Sequence, residues 1–447
     1  MNNGENPGAQ PKRLRLRLVP HPSRLLLYVG ILVHLTFFLS LATGFLNPLF
    51  DDSAHRRGQG ADFFSVYQAG RNLIDGVSVY APKPETVVVP YWYPYRYHPF
   101  TAYTFGLAFQ LFTPALAYTL WILLQEFLLF INILLTRRLM KSPGEADTGS
   151  SLWLLFTPFY LELYMGQFSF LMTSLLFWTL VAWERRRTRL GDGAWIISLM
   201  VKSNSAILAP VLLRFGRWKP VLLGILFVLV CSVPYFAIVP DSLRAFAVNF
   251  TEGMKVQTLA GNQGSAALLG VLVLRLGGLW PDSIFEVVTR LDSLSAALFV
   301  PTMLWVVLIG LVGIYLTLKQ DRSVFLELCL LWLITYFLLY KHVWEHQYVM
   351  MLPVFVVLLW KWGKDFGGRK LVRVLFWASF VIIALPTPFV FLDKQYVIAD
   401  PEYYWTTLES LAFHAPKAVA VLALYIGVCI LLWKRRAGSA GKMGLES

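Results

Sequence analysis

The sequence predicts an all-α protein that crosses a membrane about 12 times, since roughly 20 apolar residues suffice for one crossing. Of its 447 residues, 57% are hydrophobic and only 15% are charged. Soluble domains contain roughly 45–50% apolar and about 25% charged residues, so the apolar excess requires a lipid environment. The 16 Trp, 20 Tyr and 33 Phe residues agree with this prediction, because aromatic rings collect at the headgroup level.

The net charge of +13 comes largely from short basic clusters between apolar segments. This distribution is the positive-inside pattern, which orients membrane proteins, and it argues against a nucleic-acid-binding surface. The clusters lie at residues 13–17, 185–189, 214–219, 361–373 and 434–436. Cys231, Cys329 and Cys429 lie in apolar segments, and their spacing indicates neither a disulfide nor a metal site.

Charge and hydropathy divide the chain into a cytoplasmic basic tail at 1–24, a transmembrane domain at 25–433 and a cytoplasmic basic tail at 434–447. The polar residues 47–97 form the first exoplasmic loop. Thr113-Pro114 marks a break between two helices, because proline disfavours helical backbone in the residue before it.

A broken hairpin is predicted over residues 194–213, because basic clusters flank it and place both ends in the cytoplasm. About 20 residues are too few to cross the bilayer twice at full length. Irregular backbone at membrane depth is buried in protein or lines a wet cavity. We therefore expect Lys202 and Asn204, near the tip, to face a polar cavity. The alternative for Lys202 is a buried ion pair with Glu126 or Glu162.

Residues 62–74 in the first outer loop predict an amphipathic helix that lies at the membrane interface. Apolar residues recur at helical spacing, and Asp75-Gly76 is a stop signal. Asp62 would cap the amino end of this helix, where a carboxylate meets unpaired amides. From the residues alone, a structural cap is favoured over a catalytic carboxylate.

The outer turn with Lys341, His342, Glu345 and His346 is a candidate anion site. Charged groups beside a span are costly unless they pair or serve a site. Lysine and histidine cations can hold a lipid phosphate through charge-assisted hydrogen bonds. The His342–His346 spacing would also suit two zinc ligands on a helix, but no third ligand is evident. Snorkelling to the interface is the alternative for Lys341.

Short motifs follow one another in a fixed order along the chain. They are Asp62-Phe63, Gly76 to Tyr80, Tyr97-His98-Pro99, Gly166-Gln167, Lys202, Asn262-Gln263 and Trp344-Glu345-His346. In this order the motifs resemble glycosyltransferase family 87, which comprises polyprenyl-phosphate-sugar-dependent membrane enzymes of the GT-C fold, among them mycobacterial mannosyl- and arabinosyltransferases. The resemblance covers about residues 60–360. His98, Ser169 and Gly264 depart from the family's usual Pro, Asn and Ser.

The resemblance implies a GT-C-like fold and an enzyme that moves a mannose- or arabinose-like sugar from a polyprenyl-phosphate donor to a lipid-linked or glycan acceptor. Asp62 would be the general base of an inverting transfer that needs no metal or other cofactor. The donor phosphate would be bound by Lys202, Lys341, His342 and His346. Substrate contacts would come from Tyr97, His98, Gln167, Asn204, Asn262, Gln263, Trp344 and Glu345.

A secondary transporter or lipid-carrier flippase is the main alternative, because it also needs many spans and intramembrane charge. Such transporters usually contain paired repeats, and no internal repeat is evident in the sequence. A structural subunit of an envelope complex would not need polar residues concentrated on one face. We expect a bacterial inner-membrane protein whose site faces outward; the sequence leaves its oligomeric state open.

Both termini are predicted to be cytoplasmic, and loops 47–97, 240–264 and 341–346 exoplasmic, because the basic clusters lie on the opposite side. Single cysteines introduced at Ser53 and Ser439 should therefore react with a membrane-impermeant thiol reagent from opposite sides of the membrane. Labelling of both from the same side would overturn this topology.

Overall fold

The computed structural model describes residues 22–47, 59–81, 84–90, 93–252, 262–280, 291–387 and 405–443. All regular secondary structure in these ranges is helical. Six helices are long and apolar enough to cross a membrane, and two shorter apolar helices accompany them. The all-α polytopic architecture is thereby confirmed, whereas the total of about 12 crossings stays a prediction. The amino-terminal tail before residue 22 and the outer-loop residues 48–58 lie outside the described residues.

The first half of the chain forms a series of helices, with long connections on either side of the second helix and short ones from the third onward. They are α1 (Pro22–Thr43), α2 (Ala61–Ile74), α3 (Pro99–Thr101), a π-helical turn (Ala102–Gly106), α4 (Leu107–Phe109), α5 (Pro114–Leu139), α6 (Pro143–Leu154), α7 (Thr157–Met165) and α8 (Ser169–Glu184). The expected break at Thr113-Pro114 is confirmed, and the Thr113 side chain caps α5. The Gly166-Gln167 motif separates α7 from α8.

The second half contains longer helices and carries the opposite part of the site. The helices are α9 (Thr188–Val201), α10 (Ala209–Arg214), α11 (Trp218–Ile238), α12 (Asp241–Glu252), α13 (Ser265–Leu276), α14 (Leu291–Lys319), α15 (Phe325–Leu339), α16 (Leu352–Trp362), α17 (Lys370–Ala384) and α18 (Thr407–Met443). Helix α18 therefore continues through most of the segment that was expected to be a carboxy-terminal tail.

The broken hairpin predicted from the flanking basic clusters is present. Helix α9 ends at Val201, Lys202 is extended (φ −151°, ψ 129°), and a 3₁₀ helix (Ser203–Leu208) leads into α10. The Trp195 Nε1 donates a hydrogen bond to the Ser205 carbonyl at 2.9 Å, which ties the two arms together. The interruption places Lys202 and its neighbours at the end of a helix rather than within one.

Helix α2 exists as predicted, but its cap differs from the expectation. It is buried continuously from Ala61 to Gly70, so it packs against other parts of the protein, and its position at the level of the membrane interface stays a prediction. Its N-cap is Gly60, in left-handed backbone (φ 79°), and Asp62 lies in the first turn. The expectation that Asp62 caps the helix is therefore wrong. The left-handed backbone at this position suits glycine, which has no Cβ.

Two glycines allow α2 to cross the π-helical turn at very short range. A Cβ at Gly70 would lie 2.0 Å from the carbonyl oxygen of Gly106. The obstructing atom belongs to the backbone, so it cannot move away as a flexible side chain can. Glycine at position 70 is consequently required for α2 to be buried at its present depth.

Replacing Gly70 with alanine should destabilise the protein by about 3 kcal/mol or more, as expected for severe overpacking of a buried contact. Gly193→Ala is the matched control, because nothing lies within 4 Å of a Cβ built on this helical glycine. The control should leave the thermal midpoint unchanged or raise it. Thermal unfolding of purified protein in one detergent measures both variants, and equal midpoints would contradict the crossing.

Candidate active site

A cavity opens where the first turn of α2 meets the loop before α3, the α7–α8 junction, the break after α9, helix α12 and the segment between α15 and α16. Nine predicted site residues line this cavity: Asp62, Tyr97, His98, Gln167, Lys202, Asn204, His342, Trp344 and His346. Lys202 and the His342–His346 turn therefore lie on the same cavity as Asp62. The roles assigned to these residues stay predictions.

Asp62 reaches the cavity because the α7–α8 junction allows α2 to come close. Its side chain is only 9% exposed. Gly166 has left-handed backbone (φ 66°), and a Cβ there would lie 2.5 Å from the Cβ of Phe63. The amide of Gly60 donates to the Tyr164 carbonyl at 2.7 Å, which holds the start of α2 against the end of α7. Gly166 is thus needed both for the end of α7 and for the position of Asp62.

Gln167 connects two other cavity residues through a single oxygen. Its Oε1 accepts hydrogen bonds from the Tyr97 hydroxyl at 3.1 Å and from Lys202 Nζ at 2.9 Å. Its backbone carbonyl accepts from Trp121 Nε1 at 3.3 Å and Gln125 Nε2 at 3.2 Å. An amide carbonyl has two lone pairs, so the side-chain oxygen is saturated and its orientation is fixed.

The ion-pair alternative for Lys202 is not what the described residues show. Lys202 Nζ donates to the neutral Ser169 Oγ at 2.6 Å as well as to Gln167. Glu126 instead lies 3.1 Å from Nε2 of His34. Glu162 accepts from the amide of Phe170 at 2.9 Å and from the Ser169 side chain, and it acts on Lys202 electrostatically without direct contact.

The loop before α3 contributes two side chains that stay uncharged at neutral pH. Burial raises the pKa of Tyr97 well above its ordinary value, and the charges of Asp62 and Glu162 raise it further. Its phenol therefore stays protonated and remains a donor to Gln167. Burial lowers the pKa of His98 below its usual value. His98 is therefore neutral at pH 7 and offers polarity rather than a positive charge.

The segment between α15 and α16 presents several side chains to the cavity. His342, Trp344 and His346 line it, and the rings of His342 and Trp344 lie 4.8 Å apart. Because Trp344 is extended and a 3₁₀ helix begins only at Glu345, the two histidines do not share an α-helical face. The zinc spacing proposed for them therefore does not apply. Among the described residues, no group of three or more His, Cys, Asp or Glu side chains could hold a metal ion.

Four residues expected at the site lie outside the cavity lining. Lys341 is exposed, and Asn262, Gln263 and Glu345 are buried behind the turn. Asn262 and Gln263 hydrogen-bond to the turn backbone, and Glu345 contacts Lys417 on α18. The expectation that these three side chains form substrate-contacting walls is therefore corrected: they support the wall from behind.

Several lining residues were not singled out by sequence reasoning. Arg96 is exposed and stacks on Tyr93, with 5.3 Å between its guanidinium and the ring centroid. It lies among the aromatic residues of the loop before α3. Phe246 lies on α12, a helix that was interpreted as a polar loop. The others are Tyr93, Pro94, Val201, Ser203, Tyr340 and Gln347.

The model of glycosyltransferase family 87 matches residues 95–340, which is more than half of the chain. The chain belongs to glycosyltransferase family 87. This confirms the resemblance found in the sequence and makes the protein a membrane glycosyltransferase. The matched region includes Gln167 and Lys202, whereas Asp62 and the His342–His346 turn lie outside it.

No curated protein matches the chain. Among solved structures, ArnT from Cupriavidus metallidurans in the apo state is similar over 91% of this chain and 75% of that chain. The identity is 15% and the TM-score is 0.32. A likeness at this level carries no argument about substrate or mechanism, which therefore rest on the residues of the cavity.

The buried state of His98 predicts a pH dependence of stability. Its pKa is lower in the folded protein than in the unfolded chain, where it is about 6.5. As the pH falls through this value, the unfolded chain binds more protons, so the folded state loses stability. His98→Gln should make the thermal midpoint fall less steeply than in the wild type between about pH 7 and 5. Parallel curves for the two proteins would contradict this assignment.

Proposed function

We propose that the protein transfers a sugar, with inversion, from a polyprenyl-phosphate donor to a hydroxyl of a lipid-linked or glycan acceptor, with Asp62 as general base. The observation that carries this proposal is one cavity lined by a buried carboxylate, an ammonium group and three imidazoles. The carboxylate supplies a proton acceptor, and the nitrogen groups can stabilise a departing phosphate. Family 87 membership supports a glycosyl transfer as the reaction.

In the proposed reaction, the acceptor oxygen attacks the anomeric carbon from the face opposite the phosphate. The new glycosidic bond forms while the bond between the anomeric carbon and the phosphate oxygen breaks. The hydroxyl proton passes to Asp62, and the lipid phosphate leaves with the bonding electron pair. A sugar hydroxyl is a weak nucleophile, and a positioned base contributes ~10²–10⁴-fold to such a step.

Lys202 is the main candidate for the donor phosphate. An ammonium group has three N–H donors, and two of these bond to Gln167 and Ser169. The third donor remains for a ligand. His342 and His346 would act from the opposite wall, and Arg96 adds a guanidinium group, which suits a phosphate. Lys341, which is exposed and outside the cavity lining, is left out of this set.

The sugar would lie among aromatic and amide side chains. Tyr97, His98 and Trp344 provide ring faces and edges that suit a pyranose or furanose ring. Gln167 and Asn204 provide amides for its hydroxyls; Asn204 also donates to the Tyr336 hydroxyl at 2.8 Å. We propose a mannose- or arabinose-like sugar and a cavity that faces outward from a bacterial inner membrane.

The central test is Asp62→Asn, which keeps the shape of the side chain but removes a strong proton acceptor. Sugar transfer should fall by ~10²–10⁴-fold while donor binding persists. Asp75→Asn is the matched control, because Asp75 ends the same helix, pairs with Arg71 at 2.9 Å and does not line the cavity. Purified proteins would be assayed with synthetic polyprenyl-phosphate mannose and arabinose and a membrane-lipid acceptor extract, with products identified by mass spectrometry.

Transfer at the wild-type rate by the Asp62→Asn protein would remove Asp62 from the mechanism. Movement of the donor between vesicle leaflets, with no glycosidic product from either sugar, would instead support the transport alternative. The Asp75→Asn protein should retain transfer, and an equal loss in both variants would indicate damage to α2 rather than loss of a base.

A further inference from the structure

The segment that carries His342, Trp344 and His346 has a second, inward-facing side. Val343 and Glu345 lie between the cavity residues His342, Trp344 and His346 in the sequence. Both are buried, and neither lines the cavity. Whatever holds these two inward-facing residues also sets the direction of the cavity residues.

Asn262 and Gln263 bond to both backbone groups of Val343, its amide and its carbonyl. Asn262 Oδ1 accepts from the Val343 amide at 2.9 Å, and the Gln263 amide donates to the Val343 carbonyl at 2.8 Å. Asn262 Nδ2 also donates to the Lys341 carbonyl at 2.8 Å. A Cβ at Gly264 would lie 2.9 Å from a methyl carbon of Val343. The two segments are thus in contact along their backbones.

Glu345 is held by a buried ion pair with the carboxy-terminal helix. Lys417 Nζ lies 2.5 Å from Glu345 Oε1, and the two side chains are 5% and 9% exposed. The same carboxylate accepts from the Thr387 amide at 2.9 Å. Gln263 Nε2 donates to Thr387 Oγ1 at 2.6 Å and lies 3.5 Å from Glu345 Oε2. The pair is therefore part of the network that holds Val343.

We propose that Asn262, Gln263, Glu345 and Lys417 form a clamp whose ion pair positions His342 and His346 on the cavity wall. These four are positioning residues, since none of them lines the cavity. Glu345 and Lys417 lie outside the residues matched by the family model, whereas Asn262 and Gln263 lie inside it. The clamp joins α18 to the cavity. Only the identification of this cavity as the active site rests on the proposed function.

The buried ion pair makes the clamp specific for one orientation of the segment. A charge removed from water is costly unless a partner of opposite charge and further hydrogen bonds compensate it. For Glu345, this compensation comes from Lys417 and from the Thr387 amide. A rotation of the segment that exchanged its two faces would take the carboxylate away from both, so the ion pair selects the observed orientation of the segment.

Chemical modification of histidine tests the clamp without reference to transfer activity. His342 and His346 are 7% and 3% exposed, so diethyl pyrocarbonate should react with them slowly in the wild type. Lys417→Met removes the cation at similar length and should raise their modification rates about tenfold, which corresponds to about 1.4 kcal/mol in the local opening equilibrium. Mass spectrometry of peptides reports each histidine, and His98 on the other wall should keep its rate.

Two further variants separate positioning from general stability. Asp192→Asn breaks an ion pair with Arg217 elsewhere in the protein and should lower the thermal midpoint without changing the rates at His342 and His346. The double variant Glu345→Gln/Lys417→Met removes both charges of the ion pair. It should therefore recover stability relative to Lys417→Met and still show raised modification rates at the two histidines. It also provides the test if the single variant fails to fold.

Wild-type rates at both histidines in Lys417→Met and in the double variant would overturn the proposal and leave the ion pair a purely stabilising role. Return of the double variant to wild-type rates would also overturn it, because the neutral contacts would then suffice to hold the wall. Absence of sugar transfer by the wild-type protein, together with raised histidine modification rates in Lys417→Met, would refute the proposed function and leave the clamp intact.

Discussion

The close packing of α2 against two glycine-containing backbones is the constraint on which the candidate site depends. At Gly70 a Cβ would meet the Gly106 carbonyl oxygen at 2.0 Å, and at Gly166 it would meet the Cβ of Phe63 at 2.5 Å. Because neither position has a Cβ, the helix packs at the depth where Asp62 reaches the cavity. Since packed interiors tolerate little added volume, the absence of side chains at Gly70 and Gly166 sets the depth at which Asp62 lies.

Burial of a helix with a polar face requires partners for that face, and the outer loop supplies them. Gln68 Nε2 donates to Asn72 Oδ1 and to the Thr86 carbonyl, both at 2.8 Å. Gln68 Oε1 accepts from the Val88 amide at 2.9 Å, and Asn72 Nδ2 donates to the Ser78 carbonyl at 3.1 Å. Amphipathic spacing in the sequence is the same whether the polar side meets water or loop backbone, which is why the helix was predicted and its burial was not.

Sequence reasoning located the residues of the site better than the faces to which they point. Gly166-Gln167, Lys202 and the break after α9 could be predicted because glycine, a lone cation in an apolar segment and closely spaced basic clusters each have a direct structural meaning. Asn262, Gln263 and Glu345 belong to the same motifs, yet their side chains turn away from the cavity. That distinction depends on Lys417 and Thr387, which are close in space and distant in sequence, so a local pattern holds no information about it.

The two walls of the cavity are fixed by different kinds of interaction, and the difference determines which charges a ligand meets. Lys202 is held by the neutral oxygens of Gln167 and Ser169, so its charge is not cancelled by a carboxylate in direct contact. Glu345 is held by Lys417 behind the opposite wall, where the two charges compensate each other away from the cavity. A carboxylate in direct contact with Lys202 would neutralise the cation and weaken its attraction for a lipid phosphate. The arrangement therefore leaves the Lys202 cation in the cavity beside Asp62 and places the structural ion pair outside it.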